Sequence, residues 1–409
     1  MGIHVTKLFL EREFENLKRD LEKASLPEVA AEYKKRLDKM HNQPLNIAVT
    51  GDAGAGKSSL VNAIRGVSDH DMEAAKVGVV EETMEPKEYP HPKFPNMKIW
   101  DLPGIGTPKF QAAEYLKQVN FERYDVFIIV YSERFTENNA LLAKEIQKMN
   151  KKFYCVRTKI DHSIESEKRN PNFNMEETLE TIRNYCEDRI RDTGGPPAKT
   201  FLISSWKVKE YDFPLLQETI ATELPEHQKD VLTRAMHIFS EKELMMKKKL
   251  MKSYIEKVTL VSCYCGTVPV PGLPMVTDIA ILQHTLRLLC RAFGFDDRSL
   301  HFLEVQTGKR FEELKSAITK TPLANEIDMC LVISRLTKSS LWVSLSALEV
   351  ILDFIPVVGS LFDGASSPYL TYHFLNKFLN EAVEDAQNVL EMIGVPRERI
   401  QGNPKLPFE

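Results

Sequence analysis

Two kinds of hydrophobic spacing alternate along the chain, and the change-overs divide it. Over residues 7–40, Leu10, Phe14, Leu17 and Leu21, then Val29, Tyr33 and Leu37, recur at helical intervals, with a break near Ser25 to Pro27. That spacing lines one face and predicts two helices packed on another part of the protein. From Leu45 the period changes. Short apolar runs, LNIAVT (45–50), MKIWDL (97–102), DVFIIVYS (125–132), KKFYCVRT (151–158) and KTFLISS (199–205), alternate with amphipathic stretches such as ENNALLAKEIQKMN (137–150) and MEETLETIRNYCEDRIRDT (175–193). Strands without polar alternation are buried on both faces, so the pattern predicts an α/β domain with a mostly parallel sheet covered by helices on each side. After Pro225 the strand signal stops and helical spacing runs on. The expected organisation is an N-terminal helical segment (1–43), an α/β domain (44–225) and a C-terminal helical domain (226–409), the helical segments making one all-α unit.

Two stretches interrupt the helical part. Residues 258–276 are uncharged but contain three prolines and two glycines, and residues 341–362 carry only Glu349 and Asp353 as charges. Both hold a Pro-Val-x-Gly core, Pro269–Gly272 and Pro356–Gly359, which suggests a weak internal repeat of two hydrophobic hairpins. Proline breaks the first and mid-span acids burden the second, so neither reads as a membrane-spanning helix. The expectation is a helical hairpin buried in an all-α core, with a membrane- or partner-facing surface as the alternative.

Composition narrows the picture only a little. The 409 residues are 43% hydrophobic and 27% charged, with a net charge of −4, which gives nucleic-acid partners no support. The six cysteines follow no metal or disulfide spacing and read as reduced, mostly buried thiols of a cytoplasmic protein.

The chemistry enters with GDAGAGKS (51–58), which follows a predicted strand and opens the helix SSLVNAIRG. This is the phosphate-binding loop pattern in its required strand–loop–helix context. The backbone of Gly51, Asp52, Ala53, Gly54, Ala55 and Gly56, with Ser59 after it, is expected to wrap phosphate oxygens at the helix N-terminus. Lys57 is the expected bridge to the β- and γ-phosphates, and Ser58 the expected Mg²⁺ ligand. Asp101 ends the strand MKIWD as the carboxylate that holds Mg²⁺ through water, and Gly104 offers an N–H to the γ-phosphate. Thr83, in GVVEETM, is the best-placed further Mg²⁺ ligand, sensing the third phosphate. Base choice falls to TKID (158–161). Asp161 can accept from guanine N1–H and from the exocyclic amine, a pair that adenine does not offer. Thr158 opens the motif and counts among the expected GTP-binding residues, Lys159 is expected to lay its stem over the base, and the backbone of Ser204 and Ser205 is expected to cap guanine O6. GTP and GDP are therefore the expected substrate and product. A metabolic P-loop kinase is disfavoured by TKID and by the lack of a lid-like arginine cluster.

Together with WDLPGIG (100–106), AAKVGVVEETM (74–84), EYPHPKFPN (88–96), FYCVRTKID (153–161) and YDFP (211–214), these motifs make the chain resemble the immunity-related GTPases, an interferon-inducible family, over nearly its whole length. The lysine of GKS is similar to that of the GKS class, whose members resemble effectors. The resemblance implies a Ras-like P-loop G domain joined to a helical domain, assembly through the G domain with itself or related GTPases when GTP is bound, and faster hydrolysis in the assembly. It also implies action at intracellular membranes (endoplasmic reticulum, Golgi or vacuole) in cell-autonomous immunity. Two positions depart from the family pattern: Ser205 stands where asparagine is common, and Val77 where threonine is often found before the switch glycine.

Ile105 follows Gly104 at the position where small signalling GTPases carry the glutamine that orients water. An isolated protomer is therefore expected to hydrolyse slowly, with the missing help coming across an interface. The resemblance points to Glu81 of the switch segment acting in trans, and Arg134, just past a strand end, is the candidate interfacial cation. A nucleotide-dependent scaffold with little hydrolysis is the alternative. Finally, MGIHVT matches the N-myristoylation pattern at Gly2, a single-chain anchor that holds membrane only marginally without a second contact.

Overall fold

The computed structural model describes residues 43–78, 83, 85–105, 111–265, 273–337 and 366–397. The N-terminal helical segment, Gly2, Glu81 and the 341–362 stretch lie outside the described residues.

Six strands form one sheet: β1 (Leu45–Gly51), β2 (Lys87–Pro90), β3 (Met97–Asp101), β4 (Val126–Tyr131), β5 (Lys152–Arg157) and β6 (Thr200–Leu202), in the order β2-β3-β1-β4-β5-β6. All neighbouring pairs are parallel except β2 against β3. The five sequence-predicted strands are present. The sixth, β2, is a four-residue edge strand ending in Pro90, where the missing ladder N–H does no harm.

Strand β4 shows why its sequence lacks polar alternation. Val126, Ile128 and Val130 point into one hydrophobic cluster, Phe127, Ile129 and Tyr131 into another, and all six are fully buried. The second cluster is filled by α2 (Ala112–Gln118), α3 (Glu137–Lys148) and α5 (Met175–Asp192), through Tyr115, Leu116, Leu142, Ile146, Cys186 and Ile190. The first is larger. It takes in α1 (Lys57–Arg65), α6 (Phe213–Glu223) and α7 (Glu226–Ala235), then runs without a break into the helical part. Helix α7 follows Pro225 and rests on β1 and β3, so the first helix beyond the strand region covers the sheet. Between β5 and α5, the short α4 (Ile160–Glu167) opens directly from the TKID turn.

Among the described residues the helical part comprises α8 (Glu241–Cys265), α9 (Leu273–Phe293), α10 (Asp297–Thr307), α11 (Phe311–Ser316), α12 (Met329–Thr337) and α13 (Ser366–Met392), with α8 and α13 packed along each other. The apolar stretch at 258–276 is split between the end of α8 and the start of α9, and its Pro-Val-x-Gly core falls outside the described residues. Among the described residues no helix is long and apolar enough to cross a membrane, and no group of histidine, cysteine or acidic side chains is placed to hold a metal. Cys155, Cys186 and Cys290 are buried thiols, whereas Cys330 is exposed. The half-buried Lys93, in the β2–β3 loop, bolts sheet to helices: its ammonium donates to Arg291 O (3.2 Å), Asp296 Oδ2 (3.3 Å) and Ser299 Oγ (2.6 Å).

Candidate functional site

In this sheet β1 has β3 on one side and β4 on the other, so successive crossovers leave in opposite directions and open a crevice at the strands' carboxyl ends. The motif residues lie at those ends. Gly51 closes β1 at φ +130°, and a Cβ there would sit 1.9 Å from Val130 O of the paired strand β4, so the close approach of the two strands here requires glycine. The loop then rises over Ala53 and returns to α1, whose first turn presents N–H groups with no carbonyl a turn earlier to receive them. Asp52 turns outward from the loop. Its Oδ2 accepts from Asn139 Nδ2 (3.0 Å) and its Oδ1 from Thr136 Oγ1 (3.5 Å), bracing the loop on α3, and burial pushes its carboxyl pKa up against these bonds. Lys57 is buried, and its ammonium donates to the carbonyls of Asp52 (3.0 Å) and Gly51 (3.4 Å).

At one end of the crevice Ser58, Thr83 and Asp101 meet. Ser58 Oγ donates to Asp101 Oδ2 at 2.6 Å, and Thr83 Oγ1 donates to the same oxygen at 3.1 Å. Asp101 Oδ1 is buried with no hydrogen-bond partner. Burial raises this carboxyl's pKa, while the Ser58 bond and the Lys57 charge pull it down. A buried carboxylate oxygen without a donor, beside two hydroxyls, is the chemistry of a hard divalent cation site.

At the other end Thr158 ties the base turn to the phosphate loop, with Oγ1 donating to Ala55 O at 2.5 Å and N to Tyr131 O at 2.9 Å. Lys159 adopts the left-handed conformation at φ +57°, and its ammonium reaches Gly54 O at 2.8 Å, which lays the stem along the crevice. Asp161 follows in the first turn of α4, its side chain 13% exposed. The N–H of Ile160 donates to Ile203 O (3.2 Å), which holds this turn beside Ser204 and Ser205 after β6. Both ends open into one cleft of about 540 Å³.

Most of the sequence-predicted residues line that cleft: Gly54, Gly56, Lys57, Ser58, Ser59 and Thr83 at the phosphate end, and Thr158, Lys159, Asp161, Ser204 and Ser205 at the base end. Gly51, Asp52, Ala53, Ala55 and Gly104 shape the loops behind it and are not part of its wall, and the predicted metal ligand Asp101 is buried behind Ser58 and Thr83, also off the wall. Arg134 is exposed on the loop after β4 and stands outside the wall, two residues before the Thr136 that braces Asp52. The cleft also takes in Lys76, Val77, Gly78, His162 and Trp206. Of these, Trp206 carried a readable signal, an aromatic immediately after the Ser204–Ser205 cap.

Ile105 is buried, 1% exposed, beside Leu102, Tyr115, Leu116 and Phe135 on the side of the sheet away from α1. Its N–H donates to Gly51 O (3.2 Å) and its carbonyl accepts from Asn138 Nδ2 (3.0 Å), so the backbone is pinned while the side chain faces the core. A glutamine here would meet hydrocarbon. Ile105→Gln is expected to leave single-protomer GTP turnover no faster than wild type and to cost about 2–4 kcal/mol in urea unfolding. Accelerated turnover would mean that the 105 side chain reaches the cleft after all.

The sequence is similar to those of known proteins. The sequence profile of the family described as "Interferon-inducible GTPase (IIGP)" matches residues 10–393. Interferon-inducible GTPase 5 of Bos taurus is 40% identical over 389 residues, covering 94% of this chain and 83% of that protein. Interferon-gamma-inducible GTPase 10 of Mus musculus is 34% identical over 388 residues, covering 94% and 90%. Among solved structures, Aquifex aeolicus Era bound to GDP and aluminium fluoride aligns at 20% identity over 45% of this chain and 57% of its own, with a TM-score of 0.31.

Proposed function

The chain belongs to the interferon-inducible GTPase family, and we propose that it binds GTP in the cleft between the phosphate loop and the Lys159–Asp161 turn and hydrolyses it to GDP and phosphate. The observation that supports this most directly is that Ser58 and Thr83, both hydrogen-bonded to the buried Asp101 behind them, and Asp161 line the two ends of one cleft. In this reading the first turn of α1 and Lys57 bind the phosphates, and Asp161 accepts both guanine N–H donors. Thr83 is the residue whose position depends on the third phosphate. Ser58, Thr83 and Asp101 are the residues that would hold Mg²⁺, which when bound neutralises charge developing on the phosphates.

Hydrolysis is completed by assembly. Ile105 is apolar and turned into the core, where it orients no water, so Glu81 acts across a pair of G domains, with Arg134, exposed near the braced phosphate loop, as the interfacial cation. Turnover per protomer should rise about tenfold or more with protein concentration, in step with light scattering, since positioned charge in trans is worth orders of magnitude in related reactions. Glu81→Ala and Arg134→Ala should each flatten that rise while GDP binding stays intact. A rate per protomer independent of concentration would overturn assembly-driven hydrolysis and favour a nucleotide-dependent scaffold.

We place the protein's action at intracellular membranes in cell-autonomous defence. Acylation at Gly2 supplies one weak anchor, with a binding constant of roughly 10⁴ M⁻¹, and GTP-driven assembly multiplies it. Mass spectrometry of protein from cells tests the first of these directly, because an unmodified Gly2 removes the anchor.

A further inference from the structure

Trp206 is the large side chain of the cleft that the GTPase reading leaves without a task. It lines the base end and is 58% exposed, which leaves much of a large aromatic surface open to the cleft. Its orientation is nevertheless set. The indole Nε1–H donates to Asp69 Oδ2 at 3.0 Å, and the ring of His162, next to Asp161, lies 5.9 Å away at a tilt of 51°. Asp69 is itself anchored, its Oδ1 accepting from Nδ2 of Asn62 (2.8 Å), a buried residue in the middle of α1. Asn62 in turn holds Ala75, whose N–H donates to its Oδ1 at 2.7 Å, one residue before the cleft-lining Lys76. The indole is thus held from the P-loop helix, while Lys159 is drawn to the phosphate loop at Gly54. An indole and an extended lysine stem, each anchored from a different element, line the same cleft as the Asp161 carboxylate, and a planar purine is the ligand part that suits such walls.

We infer that Trp206 is a base-stacking residue, its indole forming the aromatic wall of the guanine subsite and Asp69 serving as the positioning residue that sets it. The inference rests on the GTPase reading and deepens it. Stacking supplies affinity at a loop where Ser205 has a shorter side chain than the asparagine the family resemblance leads one to expect. Stacking on an indole is also indifferent to which hydrogen-bonding groups a purine carries, since every base has a π-face. It therefore adds affinity without adding selectivity, which stays with Asp161.

That division makes the test. GDP and inosine diphosphate, which lacks the exocyclic amine, are titrated calorimetrically into wild type, Trp206→Ala and Trp206→Phe. Trp206→Ala should bind both nucleotides about tenfold more weakly with the ratio between them unchanged, and Trp206→Phe should stay within about threefold of wild type for both. Unchanged GDP affinity in Trp206→Ala overturns the stacking role alone. So does a selective loss for GDP, which would place the indole's effect on Asp161, or a Phe variant as weak as the Ala variant. Wild-type protein that fails to bind GDP overturns the GTPase reading as well.

Discussion

Asp161→Asn is expected to cut GTP turnover, as kcat/KM, by about three to four orders of magnitude and to restore much of it with xanthosine triphosphate. The argument is one of matched donors and acceptors. A carboxylate offers two acceptors, and guanine presents two donors, N1–H and the exocyclic amine. The asparagine amide offers one acceptor and one donor, so its NH₂ confronts a guanine N–H and both groups lose a partner in a partly buried turn. A site built to hydrogen-bond its substrate rejects an unmatched partner by about 10⁴. Xanthine keeps N1–H and carries a carbonyl in place of the amine, which is the pattern the amide reads. Asp161 has little freedom to compensate: its side chain is 13% exposed, and Lys159 and Ile160 before it are tied to Gly54 O and Ile203 O. Equal and small effects on both nucleotides would mean that the 161 side chain does not read the base.

That site was legible in the sequence because its chemistry is local. Eight consecutive residues make the phosphate loop, four make the base turn, and the strands that carry them are continuous apolar runs, so Lys57, Ser58, Asp101 and Asp161 could be assigned before any contact was known. Thr83 came from position alone, and its hydroxyl meets Asp101 Oδ2. Less local features did not read. Strand β2 is four residues with a terminal proline, too short for a period to emerge. Helical spacing after Pro225 showed that α7 has an apolar face but not that the face would rest on β1 and β3, since periodicity says which side is buried and not against what. Ile105 said what could not orient water. That its side chain belongs to the core with Tyr115 and Phe135 depends on contacts across the fold. Trp206 is a single residue, and its task becomes arguable only beside Asp69, 137 positions away.

Gly51 concentrates the dependence of the whole site on one close approach, and its replacement should be the most damaging single-methyl change in the phosphate loop. Its carbonyl accepts from Ile105 N–H and from the Lys57 ammonium, so β1, the turn after β3 and the phosphate-binding lysine meet at one peptide. A Cβ at this position would lie 1.9 Å from Val130 O and 2.8 Å from Val130 C and N, all backbone atoms of the central strand, and φ is +130°. Relief requires β1 and β4 to part where the sheet is wholly buried, and no side-chain rotation can provide it. Gly51→Ala should therefore cost about 4 kcal/mol or more in denaturant unfolding and abolish GDP binding even in the fraction that folds. Gly54→Ala is the control. It shares a positive φ, +69°, but its Cβ would meet nothing within 4 Å, so only the left-handed strain of about 1–2 kcal/mol applies. If the two variants unfold at the same denaturant concentration, the approach of Gly51 to Val130 is looser than 1.9 Å implies and the loop's shape is set by the ligand. If Gly51→Ala alone collapses, the phosphate site is built before any nucleotide arrives.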